Sequence, residues 1–151
     1  MRVDFCFLAD AVAAPPDGKF YVQGGGISRI SAPTFPFAVP QVAIVVRLLF
    51  DESEVNEQHA YTFTFINGEG VAIAPPLHFV NPPPETPPPA LADGEDRFAV
   101  IAANVNGLTF VMPGPHRLEF RADGELMATT SLAVVAGQPA SSSGPPPPSG
   151  I

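Results

Sequence analysis

The sequence is short of cysteine and of basic residues, and each of these two shortages excludes a class of structure or function. Its 151 residues include one cysteine, no tryptophan, and seven basic against fifteen acidic residues, which gives a formal net charge of −8. Cys6 alone excludes an internal disulfide, and its neighbours Phe5 and Phe7 indicate a small buried hydrophobe. Nucleic-acid binding depends on clustered Lys and Arg that neutralise phosphates. Because the seven basic residues of this sequence do not cluster, we expect no nucleic-acid partner.

Long apolar runs are also missing. No segment approaches the roughly eighteen consecutive apolar residues of a membrane-spanning helix, and Asp4 and Asp10 interrupt the apolar run that a signal peptide requires. We therefore expect a cytoplasmic protein without a membrane partner.

What the sequence does contain is the alternation of β-strands. His116, Leu118 and Phe120 alternate with charged residues, so one face of this segment can be buried while the other meets water. Asp123 and Gly124 then supply the positive φ angles of a tight turn. These residues predict a β-hairpin that closes the domain.

Similar patterns predict strands along the whole chain up to this hairpin. The predicted ranges are 3–14, 19–30, 42–50, 60–67, 71–74, 77–80, 97–104 and 108–112. The triple glycine at 24–26 lies inside the second strand and indicates a bulge. We predict an all-β fold, an antiparallel immunoglobulin-like β-sandwich of roughly seven to nine strands, over residues 1–137.

The last fourteen residues differ from the rest in composition. Residues 138–151 contain three consecutive serines and four consecutive prolines but no charge. Such a segment has little to bury, so we predict a disordered tail. Its deletion is expected to change the melting temperature by less than about 2 °C.

No pattern indicates catalysis, a metal or a cofactor. His59, His78 and His116 lie on separate predicted strands without the paired spacing of zinc ligands. The acidic residues 51–57 lack the order of a calcium loop, and no serine has the Gly-x-Ser-x-Gly setting of a nucleophile. We therefore expect a protein that is not an enzyme and uses neither a metal nor a cofactor.

The strand at 42–50 is apolar on both faces, although a two-layer sandwich buries only one face of each sheet. The second face must be covered either by the proline-rich connector at 33–40 or by another subunit. The candidate interaction surface on this second face of the strand consists of Val45, Arg47 and Leu49. For Arg47 we expect a side chain that reaches out from the far face of the strand rather than a buried ion pair.

Several segments, taken in order, resemble a known family. They are Leu8-Ala9-Asp10-Ala11, Gly18-Lys19-Phe20-Tyr21-Val22, Gly25-Gly26, Arg29-Ile30, Ala32-Pro33, Phe35-Pro36, Val46-Arg47-Leu48 and Pro113-Gly114. This order resembles a small bacterial family of proteins of unknown function, over residues 3–136. The resemblance implies a β-sandwich and carries no catalytic residues. The prolines at 82–89 and the tail depart from the family pattern as additions.

These observations favour a non-enzymatic, cytoplasmic protein-binding or scaffolding module, with a protein partner or self-association. One alternative is a small-ligand-binding or enzymatic domain in which Asp51, Glu54, Asp93, Glu95 or the histidines line a cleft. Another is a structural subunit of a phage or injection-type assembly.

Overall fold

A computed structural model describes residues 1–15, 19–86 and 88–137. The predicted tail at 138–151 lies outside the described residues. Ten strands and one short 3-10 helix, Glu54–Asn56, are present in these ranges. The strands are β1 (Arg2–Ala9), β2 (Ala11–Ala13), β3 (Tyr21–Gln23), β4 (Arg29–Ala32), β5 (Phe37–Phe50), β6 (His59–Asn67), β7 (Leu77–Asn81), β8 (Arg97–Phe110), β9 (Gly114–Ala122) and β10 (Glu125–Ala136).

The strands form three sheets. The orders are β1-β5-β8, β4-β10-β9-β6-β7 and β2-β3, and one sheet curls into a half-barrel. All pairings are antiparallel except that of β4 with β10. The all-β prediction is confirmed, whereas the immunoglobulin-like arrangement is not confirmed.

The main core lies between the three-stranded and the five-stranded sheet. Alternate residues of β5, Val42, Ile44, Val46 and Leu48, are buried against aromatic residues of the opposite sheet. Phe63 and Phe120 stack there with ring centroids 4.8 Å apart. The alternation of residues in the sequence therefore indicates which face of β5 lies in the main core.

A second, smaller core covers the outer face of the three-stranded sheet. Ala43 and Val45 of β5 are fully buried and belong to a cluster with Ala9 and Val12, against which Phe20 also packs. The covering element is thus the β2-β3 hairpin and its flank. This explains how β5 is apolar on both faces, and it differs from both expected covers, the connector at 33–40 and another subunit.

The closing hairpin is confirmed. β9 and β10 pair antiparallel, and the turn residues Asp123 and Gly124 have φ angles of 50° and 87°. Several predicted strands were wrong in their bounds. The segment at 19–30 is not one bulged strand but two strands of different sheets, β3 and β4, and 71–74 has only an isolated bridge, between Ile66 and Ala72. The strand predicted at 42–50 begins earlier, at Phe37. The segment at 3–14 is divided at Asp10 into β1 and β2, and the segments at 97–104 and 108–112 form one strand through Gly107, whose φ is 70°. In the described part of the chain no helix is long and apolar enough to cross a membrane.

Candidate functional site

The two large sheets approach each other along one side through backbone and side-chain contacts. The Leu8 carbonyl of β1 accepts hydrogen bonds from the backbone amides of Gly26 (2.8 Å) and Ile27 (2.9 Å). The Thr130 hydroxyl of β10 donates to the Cys6 carbonyl at 3.2 Å. This side of the fold is therefore closed.

The opposite side is open. It is bounded by β7 and β8, the edge strands of the two large sheets, and no described backbone hydrogen bond joins them. We call the gap between β7 and β8 the seam. Three cavities follow it, with volumes of about 430, 260 and 440 Å³. They meet β8 in turn at 97–99, 99–102 and 105–109.

An edge strand exposes a row of unpaired backbone amides and carbonyls, and proteins usually protect it by short length, charge, proline or a bulge. Three of the four edges of the large sheets are protected in this way. β4 has only four residues, and β7 has five, with prolines on both flanks. β1 carries Arg2 and Asp4 and has an irregular register between Val3 and Phe5.

The β8 edge has none of these protections. The strand is 14 residues long and, after Arg97, contains neither a charged residue nor a proline. Ala99 to Ala103 and Val105 are only half-buried. Because β5 covers the other side of the strand through the whole length of β8, the free edge is held in an extended, pre-formed conformation.

Tyr61 lies in the interior of the seam. Its side chain is 2% exposed and lines the second cavity together with Phe79 and Asn81. Burial raises the pKa of the Tyr61 hydroxyl to about 12, the charge of Asp123 adds to this rise, and the Asn81 side chain offsets part of it. The hydroxyl oxygen is shielded from solvent; the Asn81 side chain lies close to it, but no described group, Asn81 included, meets the distance and angle of a full hydrogen bond. A buried polar group without a partner is uncommon in folded proteins.

His59 lies at the first cavity and links β6 to the closing hairpin. Its Nδ1 is 2.8 Å from Asp123 Oδ2, and its Nε2 is 3.0 Å from the Glu54 carbonyl oxygen. Since both neighbours are acceptors, both ring nitrogens donate, which requires the charged imidazolium. Burial lowers the pKa of His59, but the hydrogen bonds to Asp123 and the Glu54 carbonyl outweigh it, so the pKa is raised from 6.5.

The carboxylates of Asp123 and Glu54 also make hydrogen bonds within this part of the structure. Asp123 accepts a hydrogen bond from the Ala60 amide at 2.8 Å; burial raises its pKa, but this bond and that from His59 outweigh burial, so its pKa is lowered. The Glu54 carboxylate contacts the amino group of Met1 and accepts from the Asp51 amide at 2.9 Å. These hydrogen bonds and the contact with the Met1 amino group stabilise the fold at this end of the seam.

The structure brings only part of the predicted cleft together. Glu54 and His59 line the first cavity, whereas Asp51 and Glu95 line two other depressions and Asp93 is exposed in a turn. Among the described residues, no three His, Cys, Asp or Glu side chains are arranged to hold a metal. The absence of a metal or cofactor stays a prediction.

The other two histidines have separate structural contacts. The His78 ring lies 3.2 Å from the Thr62 hydroxyl across the β6-β7 pair. His116 is buried, donates to the Gly114 carbonyl at 3.1 Å and meets the Phe110 ring edge-on.

The candidate interaction surface of Val45, Arg47 and Leu49 stays a prediction. In the single chain Val45 is fully buried and Leu49 is 8% exposed. Arg47 is partly exposed, as expected for the outer face, but its Nη1 also pairs with Asp4 Oδ2 at 3.1 Å. Its guanidinium lies 4.4 Å from the centre of the Phe98 ring.

Sequence reasoning missed the residues that define the seam. Tyr61 falls within the predicted strand at 60–67 with nothing in its sequence context to distinguish it, and β8 corresponds to two predicted strands, 97–104 and 108–112. The one available signal was the length of sequence after Arg97 that contains neither charge nor proline, which exceeds that of any other edge strand.

Comparison with protein families identifies the chain as a member of the Family of unknown function (DUF6941), whose model matches residues 4–135. The family resemblance seen in the sequence is thereby confirmed. No curated protein and no solved structure shows significant similarity to the chain.

Proposed function

We propose that this protein is a non-enzymatic protein-binding module that accepts an extended segment of a partner as an additional strand on β8. The observation that carries the proposal is the β8 edge itself, which is long and, after Arg97, free of charge and proline, where the other three edges are protected. In strand addition, the backbone hydrogen bonds supply affinity and alternate side chains supply specificity. The seam would receive the alternate side chains, since its cavities follow the same strand.

The cytoplasm is the location that we propose for this binding, on the sequence grounds given above. Scaffolding, in which the module holds a partner without altering it, is the role that fits a site whose ionisable groups are already hydrogen-bonded.

A small-ligand site is the second candidate, because the first cavity combines apolar walls with polar groups. An enzymatic role at this cavity has less support. Both ring nitrogens of His59 and the Glu54 carboxylate already have partners, so neither is free to act as a general base.

The experiment is a selection from a random peptide library displayed on phage. We expect the wild-type protein to enrich extended, alternating apolar peptides. Ala102→Lys should abolish this enrichment, because Ala102 lies half-buried on β8 beside the second cavity and a lysine there obstructs the edge. Asn106→Lys, at an exposed β8 position, repeats the test with less risk to folding.

The matched control is Leu126→Lys, which removes an apolar residue that is 49% exposed on β10, away from the seam. Circular dichroism verifies that each variant is folded. Enrichment that survives both β8 substitutions, or is absent from the wild type, would overturn strand addition on β8.

A further inference from the structure

The two acidic segments of the chain converge at one end of the seam. Residues 51–57 and 85–96 each contain four acidic residues, together eight of the fifteen. The first segment contributes Glu54 and Val55 to the wall of the first cavity, and the second contributes Leu91 and Asp96. Segments that are far apart in sequence thus place their charge around the start of β8.

The basic groups nearby offset only part of this charge, although the Met1 amino group pairs with the Glu54 carboxylate. Arg97 donates through Nη2 to the Pro89 carbonyl at 2.9 Å, and Arg2 lies 3.9 Å from Asp96 in an exposed pair. His59 is paired with Asp123. With a net charge of −8 on the whole chain, this end of the seam attracts cations and repels anions.

A separate observation points to a missing polar partner in the adjoining second cavity. Tyr61 lines the second cavity, which shares Asn81 and Ala99 with the first. Its buried hydroxyl makes no full hydrogen bond with any described residue, although the Asn81 side chain lies close to it. A phenol oxygen can accept a hydrogen bond from an ammonium or guanidinium group. An incoming basic side chain would therefore satisfy a group that the free protein leaves unsatisfied.

We infer that the segment which adds to β8 is cationic, with apolar side chains along the seam and a Lys or Arg at the acidic end, hydrogen-bonded to the Tyr61 hydroxyl. This inference rests on the proposed strand addition and adds the chemistry of the partner. A second copy of the chain is a poorer occupant, because it would bring another net charge of −8 to the same edge.

The same peptide library tests the inference separately from the proposed function. Peptides whose enrichment depends on β8 should contain an excess of Lys and Arg at one end. An enriched peptide is then synthesised with a fluorescent label and its affinity is measured by anisotropy. Asp93→Asn with Asp96→Asn should weaken binding about threefold to tenfold and reduce its salt dependence, since complementary charge is lost.

The matched control is Glu69→Gln with Glu125→Gln, which changes the net charge equally at exposed positions away from the first cavity. It should leave the affinity unchanged. Tyr61→Phe should weaken the peptide about tenfold while the free protein keeps or raises its melting temperature, because an unsatisfied buried hydroxyl is removed. A lower melting temperature with unchanged affinity would show that the hydroxyl serves the fold alone and would overturn its assigned role.

The two proposals fail in different ways. Enriched peptides that depend on β8 but are neutral or acidic would overturn the cationic partner and leave strand addition standing. Enrichment that ignores the β8 substitutions would overturn strand addition itself. Sedimentation at micromolar concentration that shows a dimer, lost in Ala102→Lys, would assign the edge to a second copy and overturn the cationic partner.

Discussion

Cys6 packs against the main core and carries a thiol group that is partly buried. The Thr130 hydroxyl lies 3.5 Å from Sγ. Burial raises the pKa of the Cys6 thiol, and the Thr130 hydrogen bond offsets part of the rise. The expectation of a small hydrophobe rather than a nucleophile fits these contacts.

We predict that Cys6 reacts slowly with a thiol reagent in the folded protein. At about pH 8, labelling with an aromatic disulfide should be at least roughly tenfold slower than in denaturant, because the thiolate is disfavoured and access is limited. Thr130→Val should slow it further, since the group that favours the thiolate is lost. Equal rates for the folded and denatured chains would contradict this account.

At the scale of the strands, β5 holds two cores at once. Val45 and Val46 are neighbours on opposite faces, and both are fully buried. Val46 packs between the large sheets, whereas Val45 packs under the β2-β3 hairpin. The smaller cluster should therefore contribute to stability as the main core does.

We expect Val45→Ala and Val46→Ala each to lower the free energy of unfolding by about 2 kcal/mol, because each removes two buried methyl groups. Urea denaturation measures both. Val111→Ala, at a site that is 65% exposed, should change stability by less than about 0.5 kcal/mol. A small effect at Val45 alone would mean that the hairpin only loosely covers the outer face.

The sequence predicts the elements better than their arrangement. Local signals were sufficient for the closing hairpin, because alternation and the Asp123-Gly124 turn lie within a few residues. They were insufficient at Asp10, where the chain leaves one sheet for another, and at Gly107, which β8 accommodates with a positive φ without ending. Both outcomes depend on tertiary contacts that a local pattern does not contain.

At the scale of the whole molecule, the seam could not be predicted from the sequence. It arises because β7 and β8, which are joined by a proline-rich segment, end in different sheets instead of pairing. The two acidic segments are visible in the sequence, but only the fold shows that each contributes a carboxylate, Glu54 and Asp96, to the first cavity. Tyr61 similarly becomes notable only because its buried hydroxyl makes no full hydrogen bond with any residue that the structure describes.

Ionisable groups whose pKa values are shifted in the folded protein predict how its stability depends on pH. His59 has a raised pKa, so its contribution is complete below the ordinary value of 6.5 and is lost as the pH rises through the higher folded value. Glu119, beside Arg117 and Arg121, and Asp123 have lowered pKa values. Their contributions are present above the ordinary values of 4.5 and 3.8 and are lost as the pH falls. Stability should therefore be greatest between these two windows.

Asp123→Asn separates the His59 contribution from the others. An asparagine tolerates the positive φ and can still accept from the Ala60 amide, but it lacks the charge that favours the imidazolium. Urea denaturation at several pH values between about 5 and about 8.5 should show the wild type losing stability as the pH rises. The variant should be less stable at the acidic end and lose less on going to the alkaline end. Nuclear magnetic resonance titration should show a lower His59 pKa in the variant. Wild-type stability that is constant or rises across this range would show that His59 is not charged in the folded protein.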